Sequence, residues 1–348
     1  MEILGVIFCQ AAAGRLSPLA REGPLAALPF GGGLLVDFPL SAMAAAGIRD
    51  VLLLTPGCGG ALAAHVGSGR TWGLRQKRGG VRFVRAETGP GTFPMHALRA
   101  ALPEISRSTA DAVLLMGCGL VYLPDLRTLA GALGDDDGAL LYTPQVRRPM
   151  AGDSVRLEGR HARLERGCFC QSDLFLGCLL LRREVLCALL GCDSGAADLT
   201  ELLEGNLCAV PHTGYVGAAA TPEGYLQASL ELLQPEVRAE LYRAQGGMVT
   251  PVPDSPPTRY LEGAAVRQSL IGGGGRIAGS VTNSLLFADV EVGEDARVEG
   301  SVLLPGCRIG KGCRLRFAVC GRDVTLSPGL SLSGQPEYPF LLSRTQQC

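Results

Sequence analysis

Short apolar runs of strand length alternate with segments of helical period over the first two-thirds of the chain. The strand-like runs lie at residues 3–9, 50–55, 81–85, 112–116, 139–143 and 174–181. Helix-like segments lie at 61–66, 94–102, 124–133 and 184–190, with a short Ala-rich piece at 40–46. Two further helical segments, 224–233 and 235–244, close the region. Asp198 followed by Glu201 has the spacing of a capping box. Alternation of this kind predicts an α/β domain on a mostly parallel sheet.

The pattern changes after Gln245. Residues 246–263 are rich in proline and read as a linker between a first domain, 1–245, and a second, 264–348. Helical period is absent from the second, and aliphatic residues recur at steps of six. Ile271 and Ile277 form one pair; Leu286, Val292 and Val298 form a run, and Leu303, Ile309 and Leu315 another. The hexads starting at Val292-Gly293 and Ile309-Gly310 share a form. An inward aliphatic with a small residue beside it every six positions predicts a parallel β-helix, whose stacked coils bury the aliphatics in one core.

Composition narrows the picture. With 47% hydrophobic residues, 19% charged and a formal net charge of −1, the 348-residue chain is neither a disordered polyelectrolyte nor a basic nucleic-acid binder. No run approaches the roughly 20 apolar residues of a membrane span. The N-terminus has no basic stretch before its first apolar run, so a cytoplasmic protein without a membrane partner is expected. The 13 cysteines include no CxxC pair, which favours buried reduced thiols over a zinc site.

Five blocks carry a resemblance. Pro29-Phe30-Gly31-Gly32, then Asp37-Phe38-Pro39-Leu40-Ser41 and Gly47-Ile48, resemble the PFGG…DFPLSN…SGI block of bacterial ADP-glucose pyrophosphorylases. Residues 65–81, 225–233 (YLQASLELL), 254–260 (DSPPTRY) and 301–316 are similar to that family as well. The resemblance implies a Rossmann-like (GT-A-like) nucleotidyltransferase domain followed by a left-handed β-helix, assembled as tetramers. The family's reaction joins ATP and glucose 1-phosphate to give ADP-glucose for glycogen synthesis.

Nucleotidyl transfer needs close backbone approach to phosphates, basic groups on them, and carboxylates for Mg²⁺. Against the family's GGxGTRLxPL loop the chain reads Gln10-Ala11-Ala12-Ala13-Gly14-Arg15-Leu16-Ser17-Pro18-Leu19. Cβ atoms at the expected glycines would obstruct that approach. The lysine of the family's RAKPA motif is Leu25 here. The Mg²⁺-binding aspartate of GDHIY is Cys118, a poor ligand for a hard cation, and that of DVGT is Ala218. The sugar-site EKP motif has no counterpart between residues 151 and 170, and GTADA is reduced to Gly91-Thr92. No catalytic residue and no bound metal or other cofactor is therefore expected, Mg²⁺ belonging to a catalytic partner. Asp135-Asp136-Asp137 reads as a solvated turn, and the four histidines form no ligand pair.

These departures match the non-catalytic, GlgD-type regulatory branch of the family. That resemblance implies a partner, the catalytic ADP-glucose pyrophosphorylase subunit, in a heterotetramer. Active members bind phosphorylated effectors near the junction of their domains. Arg15, Lys77, Arg78, Lys311, Arg314 and Arg316, with Arg75 and Arg322, are candidates for binding a phosphorylated-sugar or nucleotide effector, or for facing the partner. A solvated charged face is the plainer account of the same residues. Two other readings stay open: an active sugar-1-phosphate nucleotidyltransferase with an atypical site, and a β-helix acyltransferase. The second normally needs a histidine between coils, and no histidine follows residue 212.

Overall fold

The computed structural model describes residues 1–10, 16, 19, 23–57, 60–74, 79–87, 91–170, 172–192, 194–203, 207–243, 247–252 and 254–343. The first domain is built on one nine-stranded sheet. Its strands are β1 (Ile3–Phe8), β2 (Asp50–Thr55), β3 (Gly80–Arg85), β4 (Ala112–Gly117), β5 (Gly138–Thr143), β6 (Met150–Glu158), β7 (His161–Cys170), β8 (Leu174–Arg182) and β9 (Leu207–Pro211), in the order β3-β2-β1-β4-β8-β5-β9-β7-β6. The half β3-β2-β1-β4 is parallel, whereas β8 runs antiparallel to both β4 and β5. Strands β1, β2, β4 and β5 are almost wholly buried, which is why they read as continuous apolar runs. Helices cover both faces, giving two cores.

Several elements differ from the sequence expectation. The Ala-rich piece belongs to helix α1 (Asp37–Ala45), whose proline lies in the first turn, where a missing N–H costs nothing. Helices α2 (Gly60–Val66) and α3 (Met95–Arg107) follow; α3 runs through Pro103 because Ile105 beyond it is buried in the core. After α4 (Leu126–Ala132) comes the β6–β7 hairpin, which the sequence reading missed. Its strands are exposed at the sheet edge and alternate arginine and glutamate with apolar residues, so they look like a polar loop. Past α5 (Arg183–Gly191), Asp198 caps a short 3-10 turn, Leu199–Leu202, rather than an α-helix. Glu201 closes that turn by accepting from the backbone N–H of Ala197 at 3.4 Å. Helix α6 (Pro222–Glu231) is followed by α7 (Pro235–Arg238), which continues as a π-helical turn, Ala239–Arg243. None of the described helices is long and apolar enough to cross a membrane.

The second domain is a hexapeptide-repeat β-helix of three parallel five-stranded faces. Face 1 starts at Arg259–Tyr260, so the first coil begins ahead of residue 264 and takes in the end of the proline-rich segment. Face 2 runs from Ala265–Arg267 to Ser331–Ser333, and face 3 from Leu270–Ile271 to Phe340–Leu342. Inward residues Leu286, Val292 and Val298, then Leu303, Ile309 and Leu315, then Cys320, Leu326 and Leu332 follow one another around the coils. The step from face 2 to face 3 is five residues, not six, and this breaks the hexad runs in the sequence.

That tighter corner has its own chemistry. Gln268, Asn283, Gly300 and Phe317 occupy it in successive coils, all with positive φ. The Phe317 ring covers Gly300 so closely that a Cβ there would fall 2.7 Å from ring carbon Cε1. Beside the corner runs a serine ladder. The Ser284 N–H donates to Ser269 Oγ (3.2 Å), Ser301 N–H to Ser284 Oγ (3.1 Å), and Ala318 N–H to Ser301 Oγ (3.0 Å). Each hydroxyl in turn donates to a carbonyl two residues back, at 2.8 Å. Ser284 and Ser301 are fully buried. Replacing Ser301 with Ala strands the buried Ala318 N–H, so the variant should lose about 1–3 kcal/mol, read as a lower urea midpoint for the β-helix transition.

Face 3 also points apolar residues outward. Leu285, Val302 and Val319 pack against Tyr225, Leu226 and Ala228 of α6 in a third core shared by the two domains. The intervening segment is clasped rather than free. Val249 N–H donates to Ser41 Oγ (2.9 Å), and its carbonyl accepts from Trp72 Nε1 (2.9 Å).

Candidate functional site

Ligands of open α/β sheets bind beyond the carboxyl ends of the parallel strands. Here those ends are Phe8, Thr55 and Gly117, and Phe8 lies beside Gly117 in register. The next residues are Cys9 and Cys118, both buried. Hydrogen bonding to the Cys9 thiol, burial, and the nearby Asp37 carboxylate together push the Cys118 thiol well above its ordinary pKa. It is a neutral thiol inside the core.

The backbone then forms a ribbon, Leu120–Val121 paired antiparallel with Gly217–Ala218, and the Ala219 N–H donates to the Gly119 carbonyl at 2.9 Å. This ribbon carries Ala218 alongside the segment of Cys118. Two sequence-distant positions expected to hold metal aspartates are therefore brought together, but with a methyl group and a buried neutral thiol. Neither fits Mg²⁺, which takes oxygen ligands. Among the described residues no three His, Cys, Asp or Glu side chains gather into a set able to hold a metal ion.

The positions where the resemblance expects phosphate contacts are also taken up by other interactions. Leu25 opens a short 3-10 turn, Leu25–Ala27, and is buried with Leu28, Phe30 and Tyr225. Its N–H donates to the Gln10 carbonyl at 2.7 Å, which ties this turn to the end of the first strand. Gln10 reaches across the strand ends, its Nε2 donating to the carbonyls of Gly91 (2.9 Å) and Thr92 (3.5 Å). This brace had no signal in the sequence beyond an amide at an expected glycine. Thr92 Oγ1 donates in turn to Asp153 of β6 (3.3 Å), and Asp198 accepts from the Phe93 N–H (2.8 Å). A Cβ on Gly91, at φ 120°, would fall 2.3 Å from Asp198 Oδ2, so this loop demands glycine. Arg15, Lys77 and Arg78, like Arg75, lie outside the described residues.

The remaining candidates are committed elsewhere. Asp37 Oδ2 accepts from the Leu34 N–H (2.9 Å) and Oδ1 meets His65 Nε2 at 2.7 Å, a structural pairing. In the acidic turn, Asp136 is held by Arg160 Nη2 at 2.6 Å and His161 Nε2 at 3.1 Å, and these bonds, His161 first, lower its pKa. On the β-helix, Lys311 pairs with Glu294 (2.7 Å) and Arg316 with Glu299 (3.8 Å), while Arg314 points outward from face 2. Of the basic candidates among the described residues, only Arg322 lines the cleft where the domains meet. That cleft, about 760 Å³, is also bordered by His65, Arg238 and Tyr242. A second cleft, about 590 Å³, lies over the ribbon beside Gly119 and Ala218, with Arg147, Arg148, Glu231 and Tyr338 on its walls. Its buried carboxylate, Glu231, is taken up by Tyr215 Oη (2.8 Å) and Gln227 Nε2 (3.0 Å).

His212 follows β9 and packs edge-on to Tyr122, its Nε2 buried without a partner. Burial lowers its pKa from the ordinary 6.5, offset in part by the Tyr215 backbone and the Glu240 carboxylate. Below about pH 6.5 the unfolded chain therefore binds more protons at this residue than the native one. Its contribution is complete above that pH and is lost as the pH falls towards the native value. Urea titrations should show a smaller loss of stability between neutral and mildly acidic pH for His212→Phe than for the parent.

Restoring carboxylates tests the donor set directly. Cys118→Asp combined with Ala218→Asp buries an anion beside Asp37 and should cost several kcal/mol. Added Mg²⁺ should leave the urea midpoint of that variant unchanged; a rise with Mg²⁺ would show that the pocket can still assemble a metal site.

Comparisons with known proteins agree with this architecture. Residues 4–136 match the nucleotidyl transferase family model, and residues 257–338 match the GlmU-like C-terminal hexapeptide model. The glucose-1-phosphate adenylyltransferases of Bacillus thuringiensis (strain Al Hakam), Bacillus mycoides (strain KBAB4) and Bacillus anthracis are each 28% identical over 349 residues, covering 90% of this chain and 90% of theirs. The chain thus joins a nucleotidyl transferase domain to a GlmU-like hexapeptide domain and is similar to glucose-1-phosphate adenylyltransferases over most of its length.

Proposed function

We propose that this chain is a non-catalytic, regulatory subunit that pairs with a catalytic glucose-1-phosphate adenylyltransferase in the cytoplasm and serves ADP-glucose formation for glycogen synthesis. One observation carries the reading. The ribbon that brings the segments of Cys118 and Ala218 together carries no carboxylate at the two positions where the family resemblance expects metal aspartates. Leu25, turned into the core, and Gln10, braced against the loop at 91–92, support the same conclusion from the phosphate side. Losing a metal's Lewis-acid contribution alone costs several kcal/mol in the transition state, and each ~1.4 kcal/mol is a factor of ten in rate.

Regulation requires two states that partner or effector contacts can bias. The junction cleft is the place for a phosphorylated-sugar or nucleotide effector, since Arg238 and Arg322 stand where relative movement of the domains would change its width. Alone, with Mg²⁺, ATP and glucose 1-phosphate, the chain should release no pyrophosphate. Co-expressed with the catalytic subunit from the same source, it should co-purify as a heterotetramer and raise that subunit's activity or substrate affinity. Steady release by the purified chain would favour an active enzyme with an atypical site. A co-expressed pair that does not associate, or that works no better than the catalytic subunit alone, would overturn the regulatory reading.

A further inference from the structure

The β-helix has one face buried against the first domain and two facing solvent, and those two handle charge differently. On face 1, Glu291 sits one coil below Arg308 and pairs with it at 4.0 Å. At the corner between faces 1 and 2, Glu294 answers Lys311 at 2.7 Å. Along one column of face 2, Glu299 answers Arg316 at 3.8 Å. The other column of face 2 reads Ala265, Ser280, Arg297, Arg314, Ser331 and contains no carboxylate. Arg297 and Arg314 are in register on adjacent parallel strands, both exposed, and neither has an ion pair among the described residues.

Neighbouring strands lie about 4.8 Å apart, and like charges placed directly opposite one another are unfavourable. The β-helix core gains nothing from this pair, because Val298 and Leu315, between the outward residues, do the packing. Arg267 at the first coil adds a third exposed guanidinium without an ion pair among the described residues, beside the paired Arg316. The face carries no large exposed apolar side chain and has small residues, Ala265, Ser280 and Ser331, above and below the arginine pair. A cationic strip with fork-shaped donors at strand spacing suits the carboxylates of another protein surface, which guanidinium groups take bidentately. It does not suit a second copy of itself, since two such faces would repel.

We propose that face 2, through Arg297 and Arg314, docks onto an acidic surface of the catalytic subunit; this rests on the partner reading above. The strip steers and orients the encounter, and its contribution weakens with salt. It is one part of a larger contact.

The test is binding of the full chain to the catalytic subunit, measured by calorimetry or surface plasmon resonance at low and high ionic strength. Arg297→Glu/Arg314→Glu should weaken the complex at least tenfold at low salt and flatten its salt dependence. Thermal unfolding should stay like that of the parent, since both side chains are exposed. Arg308→Glu, on the other solvent face, should bind as the parent does. If the parent binds and the double variant binds equally well, face 2 is not the interface and the proposal fails while the partner reading stands. If the parent forms no complex, the partner reading itself fails, and this one with it. Stabilisation of the parent by inorganic phosphate, lost in the double variant without change in partner affinity, would replace the docking face with a small-anion site.

Discussion

The burial of face 3 against α6 is the contact on which the arrangement of the molecule depends. A three-sided β-helix needs its inward aliphatics only to hold its own coils together. Here one side also turns leucine and valine outward, and those side chains must leave water with a partner. Tyr225 and its neighbours on α6 supply that partner, and the Tyr225 hydroxyl donates to the Pro29 carbonyl. One hydrophobic contact therefore links the β-helix, α6 and the segment leading to the candidate site. It also decides which solenoid faces remain free, and so where charge can accumulate without disturbing either core.

The same contact bears on the candidate site from below. Leu25 and Leu28 belong to the shared core, so the segment that would bring a basic residue to phosphates is instead a buried spacer between domains. On the other side, the ribbon of Leu120–Val121 with Gly217–Ala218 leads directly into α6 through Thr221, whose hydroxyl caps the helix by accepting from the Gly224 N–H at 3.1 Å. Backbone geometry beside Cys118 and Ala218 is thus tied to domain docking. The ribbon therefore has a structural role in holding the two domains together.

Much of this was legible from the residues alone, where one physical requirement dominated a segment. The buried parallel strands declared themselves as apolar runs, and the solenoid declared itself through aliphatics every six residues. What escaped was set by contacts between distant segments. The β6–β7 hairpin looked polar because an edge pair needs few buried side chains. The proline-rich stretch looked like a free linker because its anchors, Ser41 and Trp72, lie about two hundred residues earlier. At the candidate site, the family resemblance pointed to Leu25, Cys118 and Ala218, yet the sequence gave no sign that Gln10 braces the loop at 91–92. The basic candidates illustrate the converse. Lys311 and Arg316 were visible as charges, but only the register of adjacent coils shows them paired, and only the same register leaves Arg297 and Arg314 facing each other.

On the proposed reading, the domain differs from a damaged active one. Simple loss of a carboxylate leaves a polar hole that water fills. Here Cys118 is buried beside Cys9, and Leu25 and Leu28 lie in the core shared by the two domains, so the surroundings of these positions are apolar. Buried side chains in contact are energetically coupled, and substitutions among them do not add. A single reversion at any one of these positions would place a charge or a polar group among neighbours arranged for its absence. On the proposed reading, an active domain lies several simultaneous changes away, each unfavourable when made alone. That condition suits the proposed role, in which the domain is kept for its shape and its contacts.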